Sequence, residues 1–386
     1  MPPPDSHFTV SEQRPAASII IPVHNGERTV QRCLAAIFAS QGISEFEVIV
    51  VDDGSTDSSA AIASSFPCKL IRFETSHGPS IARNRGVQEA KAARVVFVDS
   101  DVLVRSDSLV RLLAALDSSP AAFATYDPEP LNTNFATLLY HTLSCQSLQD
   151  TSETTSVFYS YCAAIRRDLF LELGGFDTSF KRATFEDMEL GRRLASRGLR
   201  SKHLTTVRVF HGERYDLSKL ARAYFRKSYD LGQLLLSHRS ITFDDQGWTS
   251  RKNWAVLASA WGILIFGPLA WWANPLWAVA WMLAVCSFLA ASIQLYRSMA
   301  RQRRIYGLLS VVGYLGIHCI ATSAMIAVAL RHGGSYLVSL APAFARRQIG
   351  RTMAQSAGPI PGTGVDLQSI EGSPLPRSQH AKSLAQ

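Results

Sequence analysis

Short apolar runs alternate along the first hundred residues with segments whose apolar positions recur at helical spacing. "ASIIIPV" (Ala17 to Val23), "FEVIVVD" (Phe46 to Asp52), "CKLIRF" (Cys68 to Phe73) and "ARVVFVD" (Ala93 to Asp99) are largely apolar and β-branched. That is the pattern of strands buried on both faces. Between them, Val30, Leu34, Ile37 and Phe38 predict a helix within Gly26 to Ala39, another begins near Thr56, and Pro79 to Lys91 predicts a third. Such alternation predicts an α/β domain with a parallel sheet, helices on its faces and right-handed crossovers. Open sheets of this kind bind ligands beyond the carboxyl ends of their strands. There the first strand ends in "PVHNG", the second in "VDDGSTD" and the fourth in "VDSD".

The pattern changes at Trp254. Three nearly uncharged stretches follow: Trp254 to Ala273, Leu276 to about Tyr296, and Leu308 to Leu330, the last with only His318 as a titratable group. A hydrocarbon core needs roughly 20 helical residues to cross it, so these predict about three transmembrane helices over 254–330. Arg251 and Lys252 precede the first, and Arg297, Arg301, Arg303 and Arg304 follow the second. By the positive-inside rule this predicts a multi-pass protein of the inner (plasma) membrane with its soluble domain in the cytoplasm. If the third helix crosses fully, Arg331, Arg346, Arg347 and Arg351 lie outside; a break near "GYLGIHC" keeps them inside. The expected organisation is a flexible N-terminus (1–16), an α/β domain (17–240), a linker (241–253), the membrane region, and a basic then disordered tail (331–386).

Composition adds three limits. The 386 residues carry a net charge of +8, concentrated between Lys181 and Lys252. Placed next to the apolar stretches, that charge suits an anionic lipid surface or a phosphorylated substrate, and we expect no nucleic-acid partner. The six cysteines form no CxxC pair, which argues against a zinc site. Neither G-x-G-x-x-G after the first strand nor G-x-x-x-x-G-K-[ST] occurs. Phosphate binding is therefore expected to rest on a metal and side chains.

Candidate chemistry lies at the strand ends. On an extended segment the side chains of Asp99 and Asp101 point to one side. Two adjacent carboxylates suit a magnesium or manganese ion shared with a nucleotide's phosphates; a turn with two solvated aspartates is the plainer alternative. In "VDDGSTD", Asp52 or Asp53 is placed to accept a bond from a base or ribose. An Asp-Gly turn with a helix N-cap at Ser55 or Thr56 fits the same residues, and the two readings coexist. "GPSIARNRG" sets Arg83 and Arg85 early in a helix, where either reaches a nucleotide or faces solvent.

"SIIIPVHNG", "VIVVDDGSTDSS", "GPSIARNRGVQEA", "VVFVDSDV", "GGFDTSF" and "FEDMELGRRLASRG", in that order between Ser18 and His211, resemble glycosyltransferase family 2. The resemblance implies the GT-A fold, a Rossmann-like mixed sheet, and a nucleotide-sugar donor with a divalent metal (Mn or Mg). Carried over residue by residue, it places Pro22, Asp52, Asp53, Arg83, Asp99 and Asp101 around the donor. Asp52 and Asp53 match the base- and ribose-binding acidic pair, and Asp99 and Asp101 match the D-x-D motif. Asp101, Asp99 and His211 are implied around the metal, although an ordinary strand-end histidine explains His211 equally. Asp187 matches the carboxylate that acts as catalytic base. Glu186 and Asp187 also suit a helix N-terminus through its dipole. The Q-x-x-R-W of the family's processive synthases does not occur.

The expected activity is inverting sugar transfer to a lipid-linked or glycan acceptor in envelope or exopolysaccharide synthesis, with polysaccharide-assembly partners. A polysaccharide synthase subunit and a non-catalytic membrane scaffold are the alternatives. Phe135, Leu138, Leu139, Thr142 and Leu143 have helical spacing and line either an acceptor cleft or the core. "SKLARAYFRKSYDLGQLLLSHR" predicts an amphipathic basic helix, on a membrane or in solvent.

Overall fold

In a computed structural model of the chain, the described residues are 14–43, 45–180, 182, 184–237, 251–272 and 275–332. The expected N-terminus, linker and tail therefore fall largely outside the described residues, as do Arg346, Arg347 and Arg351.

The chain opens with β1 (Ala17–Val23), α1 (Val30–Phe38), β2 (Phe46–Asp52), α2 (Ser59–Ser64), β3 (Lys69–Arg72), α3 (Pro79–Glu89) and β4 (Arg94–Val98). There follow β5 (Val102–Val104), α4 (Ser108–Ala115), β6 (Ala121–Tyr126), α5 (Phe135–Gln149), β7 (Thr154–Thr155), β8 (Cys162–Arg166), α6 (Arg167–Glu172), α7 (Glu186–Ser196), β9 (Ser201–His211) and α8 (Leu217–Ser237). Three apolar helices close the described part: α9 (Arg251–Trp272), α10 (Pro275–Gln302) and α11 (Arg304–His332).

The strands order as β3-β2-β1-β4-β8-β6-β9-β5, with β7 beside β9. The β3-β2-β1-β4 half is parallel, as the apolar runs predict, with Val23 paired to Asp52 and Ile20 to Phe97. The other half makes the sheet mixed, as the family resemblance implies: β8 runs antiparallel to both β4 and β6, and β5 antiparallel to β9. The tight turn after β4 reverses the chain into β5, and β8, which enters between β4 and β6 after α5, is reversed separately. Both faces are covered. Ile19, Ile21, Val96 and Val98 pack with Leu34 and Ile37 of α1, while Ile20, Ile49 and Phe97 pack with Phe170 and Leu190.

Two helices, Pro275–Gln302 and Arg304–Val328, are long and apolar enough to cross a membrane by length and composition, with mean hydropathies of 2.1 and 1.8. The expected first span is represented by a shorter apolar helix, Ala255–Trp271, with Pro268 inside it. α11 is continuous through "GYLGIHC", so the expected alternative of a break there is not what forms. These helices do not hang free. Leu295, Met299 and Ile317 pack with Ala136, Leu138 and Leu139 of α5 and with Leu220 and Tyr224 of α8.

Candidate active site

β4 delivers its carboxylates through a turn, not an extended end. The Asp99 N–H donates to Tyr161 O (2.9 Å), and the Val102 N–H donates back to Asp99 O (2.9 Å). The chain then enters β5, where Val102 pairs with His211 of β9 and the Gly212 N–H donates to Asp101 O at 2.6 Å. Register thus sets Asp101 beside His211, with Asp101 Oδ2 3.4 Å from His211 Nε2. Asp99 turns elsewhere, since its Oδ1 accepts from Arg83 Nη2 at 2.7 Å. The turn explains why two aspartates expected to act on one ion have separate partners.

Arg83 is 2% exposed and joins three elements. Its other terminal nitrogen donates to Glu186 Oε1 at 2.8 Å, and Glu186 Oε2 accepts from the Thr184 N–H at 2.8 Å. α3, the β4 turn and α7 are therefore tied by one guanidinium. Arg85 instead lies on the exposed face of α3 and pairs with Glu89. Glu186 and Asp187 lie in the first turn of α7, where the helix dipole favours carboxylates. They divide the work: Glu186 is buried on Arg83, whereas Asp187 is half-buried and borders a cavity. Asp187 Oδ2 accepts from the Ser160 N–H (3.2 Å) and Oδ1 from the Met188 N–H (2.7 Å). Burial, then the neighbouring Glu186 charge, pushes the Asp187 carboxyl up to about 7, against the pull of those two N–H groups and of Arg83. Burial likewise raises Asp101; Asp99 and Glu213 add to the rise and His211 opposes it.

Arg83, Asp99, Asp101, Asp187 and His211 all line one cavity of about 430 Å³. Its aromatic wall was not legible in the sequence. Tyr126 stands edge-on to His211 (centroids 5.7 Å apart) and Tyr140 stacks on Tyr215 (4.2 Å). These rings come from β6, α5 and the segment after β9, so no local spacing announces them.

Pro22, Asp52 and Asp53 do not line this cavity. Asp52 is fully buried, accepts from the Ser55 N–H at 3.0 Å and lies 3.2 Å from Arg72 Nε. Asp53 accepts from the Ser76 hydroxyl and from the His77 and Gly78 N–H groups, all within 2.9 Å. The pair thus organises the loops around Gly54, whose φ of +66° and contact with the Thr75 backbone admit no side chain. The following helix begins after Ser58, not at Ser55 or Thr56. Pro22 is half-buried in β1 opposite Val51.

A metal would meet few protein ligands here. Among the described residues, no three His, Cys, Asp or Glu side chains gather as a metal cluster. Asp101 and His211 converge, and Asp99 keeps one oxygen clear of Arg83. A hard cation that takes one or two protein ligands and completes its shell with phosphate oxygens fits such a set.

The position of α7 depends on Gly191. A Cβ there would stand 2.5 Å from Ser156 O and 2.7 Å from Phe158 N. Gly191→Ala is expected to push α7 off this segment, lower stability by about 1–3 kcal/mol and part Asp187 from Ser160. Thermal unfolding in detergent checks the loss; an unchanged midpoint would show that the backbone yields freely.

Residues 18–174 match the family model described as Glycosyl transferase family 2. Among curated proteins, the chain is 29% identical over 172 residues to the uncharacterized glycosyltransferase EpsJ of Bacillus subtilis, covering 40% of this chain and 49% of that one. It is 32% identical over 113 residues to the succinoglycan biosynthesis protein ExoO of Rhizobium meliloti, covering 28% of this chain and 32% of that one. The chain thus spans half or less of the length of these relatives. Among solved structures, the mannosyltransferase PcManGT from Pyrobaculum calidifontis, in complex with GDP-Man and Mn2+, superposes with a TM-score of 0.53. It is 20% identical, and the match covers 82% of this chain and 88% of that one. At that identity the likeness shows the GT-A-type fold.

Proposed function

We infer that this chain, a member of glycosyl transferase family 2 through residues 18–174, moves a sugar with inversion from a nucleoside-diphosphate sugar to a hydroxyl of a lipid-linked glycan. The observation that carries this reading is the single cavity shared by Asp99, Asp101, Asp187, Arg83 and His211. The acceptor hydroxyl gives its proton to Asp187 as its oxygen bonds to the anomeric carbon. The bond from that carbon to the diphosphate breaks on the opposite face, and the nucleoside diphosphate leaves. A carboxyl poised near 7 suits proton abstraction at neutral pH. Asp101 and His211 are the residues that would hold a divalent metal, with Asp99 beside them; when bound, it would neutralise charge on the departing phosphates. The complex of PcManGT with GDP-Man and Mn2+ supports that choice of donor class and ion. With Asp52 and Asp53 buried in loop contacts, their role is to shape the donor loops, and any contact with base or ribose requires those loops to open.

A role in exopolysaccharide or cell-wall glycan synthesis is supported by the likeness to ExoO. α10 and α11 favour membrane association. The basic residues flanking α9 and α10 favour the cytoplasmic side for the cavity.

A screen of nucleotide sugars against the full chain in detergent, with manganese or magnesium, tests the reading through release of nucleoside diphosphate. Pyrophosphate release would indicate a nucleotidyltransferase, and no release with any donor would leave a non-catalytic scaffold. Asp101→Ala is expected to weaken metal-dependent donor binding about 10- to 100-fold, the scale of one lost charge-assisted contact. Calorimetry with and without chelator reads it, and unchanged metal dependence would remove Asp101 from the metal.

A further inference from the structure

α11 is flanked by the α/β domain along most of its length. Phe135 of α5 meets Tyr306 edge-on, with centroids 5.5 Å apart, and a Cβ at Gly313 would stand 2.9 Å from Leu139. Midway along, Ile317 packs with Leu220 and Tyr224 of α8. Further on, a Cβ at Gly232 of α8 would stand 3.0 Å from Met325 and 3.3 Å from Val328, and Arg331 donates to the Tyr229 hydroxyl at 2.9 Å. α8 therefore runs beside α11 and parallel to it. At 1.5 Å per residue, Tyr306 to Arg331 covers about 37 Å, more than the roughly 30 Å of a hydrocarbon core. A crossing α11 would carry Tyr224 to the bilayer centre, and with it Arg226, Lys227 and Asp230 of the same helix. Arg226 is exposed, and Ala223, Arg226 and Lys227 border the active-site cavity. Ionised side chains and a polar cavity would then lie at the depth of the hydrocarbon, where charge is costly. Length and composition alone predict crossing; the packing argues against it.

The other side of α11 is open. Ile305, Leu309, Val312, Ile326 and Leu330 are exposed. At 3.6 residues per turn they fall opposite Tyr306, Gly313, Ile317 and Val328, the positions that meet α5 and α8. Val279, Leu283 and Ile293 make a similar exposed row on α10. At the α10–α11 junction this face ends in an open groove of about 850 Å³, lined by Tyr296, Arg297, Arg301, Arg304, Ile305 and Leu308. No Asp or Glu occurs from Pro275 to His332. None of the three arginines forms an ion pair among the described residues.

We propose that α10 and α11 lie in the plane of a single leaflet of an anionic phospholipid membrane. Their open face enters the hydrocarbon, Arg297, Arg301 and Arg304 sit on lipid phosphates, and neither helix crosses. The arginines decide the occupant. A second copy of the chain would bring the same positive groove and be repelled. Phosphate headgroups supply the missing negative charge, next to the acyl carbon that Ile305 and Leu308 call for. The active-site cavity, on the far side of α8, stays with the aqueous face of the protein.

Depth measurement on the full chain in phosphatidylglycerol-containing vesicles tests the placement. Leu308, Cys319 and Leu330 follow one another along the open side of α11 at steps of about 16 Å. With Cys286→Ser throughout, a bimane label is placed on the native Cys319, or on Leu308→Cys or Leu330→Cys in a Cys319→Ser chain; that chain without an added cysteine gives the background. Nitroxide lipids spin-labelled at the headgroup or at the chain end then quench according to depth. All three labels are expected to show the same ratio of shallow to deep quenching. Deepest quenching at Cys319 with shallow quenching at both ends would show a crossing helix and overturn the proposal. No quenching at any position would overturn it in favour of an interface between copies. The arginines have their own readout. Arg297→Gln with Arg301→Gln and Arg304→Gln, all exposed positions, is expected to weaken binding to phosphatidylglycerol vesicles at least about tenfold in flotation and to leave phosphatidylcholine vesicles unaffected. No loss, or an equal loss on both lipids, would remove the phosphate contacts.

Discussion

Asp187→Asn is expected to lower sugar transfer by about 10²–10⁴-fold while donor affinity stays within about twofold of wild type. The amide keeps the shape of the side chain but accepts no proton, and its one oxygen accepts from only one of the Ser160 and Met188 N–H groups. A loss of donor binding as large as the loss of turnover, in calorimetry and single-turnover assays, would defeat the assignment. The pH profile is a second readout. A base must be ionised to work, and burial and Glu186 hold the Asp187 carboxyl near 7. Activity should therefore fall as pH drops through about 7, well above the ordinary aspartate range. The stability effect has the opposite slope. A raised carboxyl binds its proton more firmly in the folded chain, so its contribution is complete below about pH 4 and is lost as pH rises toward 7. In Asp187→Asn that slope should flatten.

Arg83→Met is the second large effect. The change leaves Glu186 buried and Asp99 partly buried without their cation, at a cost of about 3–5 kcal/mol. Thermal unfolding of the full chain in detergent should show the loss. Arg83→Lys is expected to recover only part, because one ammonium does not span two carboxylates held by separate guanidinium nitrogens. A further consequence separates this network from simple packing. Arg83 pulls the Asp187 carboxyl down, so its removal should move the acid limb of the rate profile to higher pH. A profile that stays in place would show that Arg83 acts on stability alone.

The buried half of the sheet was written plainly in the sequence. β1 and β2 have the predicted limits because unbroken β-branched runs leave little choice when both faces are covered. The other half was not, since β5 and β7 are too short to show any period. Among site residues, Asp99, Asp101, Asp187, Arg83 and His211 do meet in one cavity. Asp52 and Asp53 do not, because backbone N–H groups and the Ser76 hydroxyl claim carboxylates that the sequence shows only as polar. The tyrosines around His211 were invisible for a different reason: long-range contact leaves no trace in local spacing. In the sequence Glu186 looks like a helix-start acid beside Asp187, and only the fold shows that it anchors Arg83.

That anchor lies 103 residues beyond its partner. During synthesis, α3 and the β4 turn precede Glu186, so the Arg83 network cannot close until α7 has been made. α7 brings Glu186 to the ion network and, one residue on, Asp187 to the cavity that β9 and α8 complete later. A chain cut short before α7 therefore lacks Glu186 and Asp187 together, so it loses the closed ion network and the cavity carboxylate in one step.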